Sequence, residues 1–117
     1  YGAFVSKAND YTNPQTGTVI WSCGANKSIR LSDVIVMTGS SPNAGLVTVW
    51  FAASGTTVFA ANTHAVAFRG EFAPSTTARP GAVVTFPKYC VGSLNYNLAV
   101  SNTATMQIYV TAHGYEV

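Results

Sequence analysis

Reactive side chains are few in this chain, and they are scattered. The carboxylates are Asp10, Asp33, Glu71 and Glu116, no two of them close in sequence. Glycoside hydrolysis needs two carboxyl groups facing one cleft, and nothing in this spacing brings two together. His64 lies in the polar turn Asn62-Thr63-His64, and His113 follows the polar face of the last apolar stretch. Two histidines are too few for a cupin-like metal site, so they read as solvated or interface residues. No Gly-x-Ser-x-Gly elbow frames a nucleophile, and no Gly-rich phosphate loop is present. Asn26-Lys27-Ser28 fits the N-glycosylation triplet, which has meaning only in a eukaryotic secretory setting. The expectation is no enzyme, no metal site and no cofactor.

Cys23 and Cys90 are the only cysteines, each near the end of an apolar run. Two buried free thiols would behave as small hydrophobes; a single disulfide would instead fit an extracellular or virion setting. Neither belongs to a Cys-x-x-Cys pair, which argues against zinc. The aromatic residues have two readings. Trp21, Trp50, Tyr89, Tyr96, Tyr109 and Tyr115 fit subunit contacts, where Tyr and Trp are enriched. Trp50, Tyr96 and Tyr109 are the first candidates for stacking on glycan rings. If Val47 and Val49 face the core, Trp50 faces outward or into a second packed surface.

The elements that must position these residues are strands. Apolar residues alternate with polar ones at period two in Leu94, Tyr96, Leu98 and Val100, and again in Met106, Ile108 and Val110. Further β-like runs cover 17–23, 28–37, 46–53, 56–60, 66–72 and 82–86, with Pro87 expected to stop the last or push it to an edge. Asp33 breaks the alternation of the second run where a bulge could reset it, and Val34-Ile35-Val36-Met37 then reads as buried on both faces. Turn clusters such as Gly39-Ser40-Ser41-Pro42-Asn43 and a loop over 74–81 separate the runs. No segment holds a helical period. About eight short, evenly spaced strands indicate an all-β, single-domain antiparallel β-sandwich of jelly-roll type over residues 17–117. Residues 1–16 are polar and rich in turn formers. They read as an N-terminal arm ordered against a neighbour, or as a loop closing the sandwich edge.

Composition narrows the class of function. Of 117 residues, 48% are hydrophobic and only 9% charged, against about 25% charged in an ordinary soluble domain. Net charge far from zero keeps proteins monomeric; here it is +2. No two Lys or Arg are adjacent, so no basic stripe offers itself to nucleic acid. No apolar run approaches the ~20 residues that span a membrane, and no leader-peptide pattern is visible. Contact with other protein is the expected work of the surface.

Four stretches carry a family resemblance. They are Gly17-Thr18-Val19-Ile20-Trp21; Asn26-Lys27-Ser28-Ile29-Arg30-Leu31; Val47-Thr48-Val49-Trp50-Phe51 leading into Ser54-Gly55-Thr56-Thr57; and Leu94-Asn95-Tyr96-Asn97-Leu98, followed by Ile108-Tyr109-Val110 and Tyr115-Glu116-Val117. In this layout the chain resembles small phage virion proteins of the head-decoration (cement) and tail-associated kinds. The resemblance covers about 100 residues and is one of pattern. It implies a compact β-sandwich, commonly a homotrimer, attached to a capsid or tail, and hence a partner in the major capsid protein or another virion protein. The expected location is the virion, on the capsid exterior. Phe4, Val5 and Tyr11 would anchor a clasping arm. A glycan- or receptor-binding appendage is the alternative. The longer N-terminal arm and the two cysteines depart from the family pattern.

Overall fold

A computed structural model describes residues 4–75 and 81–117. Most of the loop expected over 74–81, including Arg79 and Pro80, lies outside the described residues. The strands are β1 (Val5–Tyr11), β2 (Thr18–Trp21), β3 (Ile29–Thr38), β4 (Gly45–Ala52), β5 (Val66–Phe72), β6 (Ala82–Val91), β7 (Asn97–Asn102) and β8 (Ile108–Glu116). They form two four-stranded sheets. Sheet I has the order β1-β8-β3-β6 and sheet II the order β2-β7-β4-β5. Every pairing is antiparallel, and first pairs with last: β1 with β8, β2 with β7, β3 with β6 and β4 with β5. A long hairpin folded over on itself gives this order, and rolling it closes a two-sheet jelly roll.

The core lies between the sheets. Ile29, Leu31, Val34 and Val36 of β3 and Ile108, Val110 and Ala112 of β8 meet Val47, Val49 and Phe51 of β4 and Leu98 and Val100 of β7. Alternation puts each of these on the inner face. The break at Asp33 is a true irregularity. Between Leu31 and Asp33 the pairing of β3 shifts register toward both β6 and β8. The shift lets Leu31 and Val34, three apart, both point inward. Gly114 of β8 lies opposite Leu31 at this irregularity and opposite Val5 on its other side. A Cβ there would overlap the Arg30 carbonyl oxygen, so the close approach of backbones requires glycine.

Two element expectations need correction. Residues 5–11 are not an arm apart from the sandwich: all seven pair with β8, and Val5 and Tyr11 pack against the core. Residues 56–60 form no strand. They belong to a connection that folds back over sheet II. The strand count survives because the one replaces the other. β6 also runs past Pro87 to Val91. The four residues Phe86 to Tyr89 bulge out against the single residue Ser32, and Tyr89 takes a left-handed φ of 58°.

Polar side chains staple the ends of the roll. The Gln15 amide donates to Asn102 Oδ1 at 2.6 Å, and the Asn102 amide donates to the Gln15 carbonyl at 3.0 Å. This exchange ties the β1–β2 connection to β7 and explains the burial of Asn102. At the other end, the amides of Cys23 and Asn26 donate to Asn97 Oδ1 and Asn95 Oδ1. The Gly24 amide donates to Glu116 Oε1. That donation is the chief reason the Glu116 carboxyl titrates below its ordinary value; burial opposes it, and the Cys23 thiol and Lys27 ammonium reinforce it. The Trp21 indole N–H also favours the carboxylate, without reaching full hydrogen-bond geometry.

Candidate functional site

The outer faces of the two sheets are built differently. The outer face of sheet II is roofed by the chain itself. Trp50, fully buried, lies beneath Phe59 and His64, at ring-centroid distances of 5.5 and 4.7 Å. Its indole N–H donates to Ser101 Oγ at 3.1 Å. His64 Nδ1 accepts the Ala60 amide and so fixes the turn that carries the roof. Gly17, at φ 60°, lets the backbone of Thr57 lie directly against the β1–β2 connection. Trp50, Ala52, Ala99 and Phe59 thus make a second small apolar cluster behind the main core.

The outer face of sheet I is open, and its side chains stand in registered rows. One row runs Asp10–Tyr109–Met37, the next Ala8–Thr111–Ile35–Val83, the next Ser6–His113–Asp33–Thr85, and the last Tyr115–Arg30–Val91. Met37 is 49% exposed, Val83 64%, Val91 52% and Tyr109 39%. The apolar run ending at Met37 is therefore not buried on both faces as expected: Val34 and Val36 are inside, and Met37 faces solvent. Phe4, 54% exposed, stacks on His113 at 5.8 Å and meets Tyr115 edge-on at 5.2 Å. Tyr89 reaches Tyr115 from the β6 bulge at 6.1 Å. In the middle of the face His113 Nδ1 and Asp33 Oδ1 approach to 2.5 Å, so these two polar groups satisfy one another. A sheet face combining aromatic rings, aliphatic side chains and an internally paired polar couple suits a protein partner.

The sheet edges, by contrast, are blunted. β6 is broken by its bulge and by Pro87, β2 is four residues long, and β1 and β5 carry exposed Lys7 and Asp10, and Arg69 and Glu71. These devices discourage strand-to-strand addition of another chain.

The sequence-derived candidates divide accordingly. Phe4 and Tyr109 stand on the open face. Val5 and Tyr11 pack inward, and burial raises the Tyr11 hydroxyl pKa. Trp50 is no stacking platform, because its second packed surface is the roof. Tyr96 is half-buried against the main core. Trp50, Tyr96 and Tyr109 do not converge on one site. Sequence reasoning names Phe4, His113 and Tyr115 each but not as a group, expects Met37 inside, and draws no expectation for Val83 and Val91. Register supplies that grouping, and only the outward alternation of β3 and β8 hinted at it. Both cysteines are free and half-buried. Burial raises both thiols, and the neighbouring Glu116 raises Cys23 further, which suppresses the reactive thiolate. Among the described residues, no three of His, Cys, Asp and Glu gather as a metal site.

No protein-family model matches the chain, and no curated protein matches it. Solved structures offer broad likeness. The chain is similar to PirA over 93% of its own length and 94% of that chain, at 10% identity and a TM-score of 0.42. It is similar to a protein of Bacillus endospore appendages, a family of disulfide-linked pili, over 94% of itself and 86% of that chain, at 13% identity and 0.40. It is also similar to a chain of the virus-like particle of Macrobrachium rosenbergii extra small virus, over 99% of itself and 80% of that chain, at 8% identity and 0.38.

Proposed function

We propose that the protein is a non-enzymatic virion structural protein, a capsid decoration or cement protein that works as a homotrimer on the outside of the shell. Its copies join through the outer face of sheet I, and the joined copies sit on the major capsid protein. The observation that carries this reading is the open face itself: Phe4, Met37, Val83, Val91 and Tyr109 stay in water on one sheet, while the centre of the other sheet, around Trp50, is roofed and all four edges are blunted. The low charge of the chain supports it, since little repulsion separates copies. A protein that binds only the assembled shell stabilises it by mass action, and several equal contacts from a symmetric oligomer multiply a weak one.

Within residues 1–16, Phe4 is the side chain offered to a partner; Val5 and Tyr11 hold β1 to the core so that Phe4 stands beside Tyr115. Deleting residues 1–16 would strip β1 from β8, so point substitution is the cleaner test. Cosedimentation with empty shells of the virus that carries the protein should show the wild type in the pellet. Phe4→Ser combined with Tyr109→Glu should remain in the supernatant with an unchanged circular dichroism spectrum. Pelleting of the double variant to the same extent would contradict the reading.

A further inference from the structure

Beside the roof of sheet II lies a cleft of about 280 Å³, and its chemistry is one-sided. Its floor is a single row across three strands: Ser101 of β7 pairs with Thr48 of β4, which pairs with Arg69 of β5. Val58 and Phe59 of the roof form one wall, and Thr103 stands at the far end. Ser101 Oγ already accepts the Gly17 amide at 3.0 Å and the Trp50 indole at 3.1 Å. Both its lone pairs are thus engaged, and the hydroxyl can take part further only as a donor. Thr103 Oγ1 accepts the Leu46 amide at 2.9 Å, which likewise leaves its hydrogen to give. The Arg69 guanidinium lies over the Phe59 ring at 5.1 Å. Among the described residues it has no carboxylate partner. Glu71, on the same strand face, does not line the cleft. Among the described residues, no acid lines the cleft.

A floor that presents hydroxyl donors and a guanidinium fork calls for an oxyanion. The wall calls for something apolar beside it: Val58 is 67% exposed. The volume is near the lower end of the ~300–1,000 Å³ range of ligand pockets, enough for one ring. We infer that this cleft binds a carboxylate-bearing sugar, with the carboxylate on Arg69 and the floor hydroxyls and the apolar face of the ring against Val58 and Phe59. The cleft lies on the sheet opposite the proposed copy-to-copy face, so the inference stands independently of the assembly reading. In an oligomer, repeated clefts would turn a weak single-site affinity into firm attachment to an acidic glycan surface.

The test is a heteronuclear NMR titration of the full chain with glucuronate and with N-acetylneuraminate, alongside glucose and acetate. At least one acidic sugar should shift amides at Thr48, Phe59, Arg69, Ser101 and Thr103. Its affinity should exceed that of glucose and of acetate by about ten-fold or more, the worth of one charge-assisted contact. Arg69→Gln, an exposed change that leaves the core untouched, should lose that advantage, and Val58→Ser should weaken the sugar but not acetate. No shifts with either acidic sugar would overturn the assignment. So would equal binding of glucose, equal binding of acetate, shifts centred elsewhere, or an unaltered affinity in Arg69→Gln.

Discussion

Replacing Trp50 by alanine separates a structural tryptophan from a binding one. The side chain is fully buried between β4, β7 and the roof. Truncating a buried aromatic residue to alanine costs about 3–5 kcal/mol. The lost indole–Ser101 hydrogen bond adds about 1 kcal/mol, because Ser101 keeps the Gly17 amide and is not orphaned. The expected loss is therefore about 4–6 kcal/mol. A chain of 117 residues, at about 0.05–0.15 kcal/mol per residue, has roughly 6–18 kcal/mol in all. Urea unfolding followed by far-ultraviolet circular dichroism reads this directly. At an m-value of about 1–3 kcal/mol/M, the midpoint should fall by more than about 1 M. Amides of the roof, and that of Phe51 in β4, which donates to the Ala65 carbonyl beside it, should exchange faster. A stacking residue on an exposed face would change stability by no more than about 0.5 kcal/mol. A measured loss below about 1 kcal/mol, with m unchanged, would refute the roofed arrangement.

Two further outcomes follow from the ends and the centre of the roll. The Glu116 carboxyl titrates below its ordinary 4.5 in the folded chain. Its stabilising contribution is therefore fully present above the unfolded value and is lost as pH falls through the lower folded value. Unfolding free energies measured between pH 6 and 3 should decline more steeply for the wild type than for Glu116→Gln; equal slopes would contradict the Gly24–Glu116 contact. Gly114→Ala should cost about 1–3 kcal/mol through overpacking against Arg30, measured as a lower urea midpoint. A neutral result would mean that β3 and β8 do not approach as closely as described.

Much of this fold is written in local alternation. The inward placement of Ile29 and Leu31, of Val47, Val49 and Phe51, and of Met106, Ile108 and Val110 follows from period two, and each of these residues is buried. The eight-strand sandwich was legible from the spacing of such runs. β1 was not, because Val-Ser-Lys-Ala-Asn-Asp-Tyr is an edge strand with few apolar residues, and only distant β8 supplies its partner. Thr56 to Ala60 erred the other way. Its β-branched and aromatic residues resemble a strand, but Trp50 and Ala99 needed a cover, and the segment became the roof. Leu94 continued an alternation on paper, yet it is 56% exposed beside Asn95 at φ 66°, where a turn interrupts the strand. The open face of sheet I is a property of register among β1, β8, β3 and β6. No single strand announces it, and Met37, inside an apolar run, pointed the opposite way.

The measurement that bears most directly on the assembly claim is the native mass of the full chain by light scattering after size exclusion, compared with Val83→Glu combined with Tyr109→Glu. Both side chains are exposed on the open face, so the double variant should fold as the wild type does. The account predicts three times the 12.3 kDa chain mass for the wild type and a monomer for the variant. A wild-type monomer, or a variant that remains trimeric, would contradict the claim that copies meet through this face.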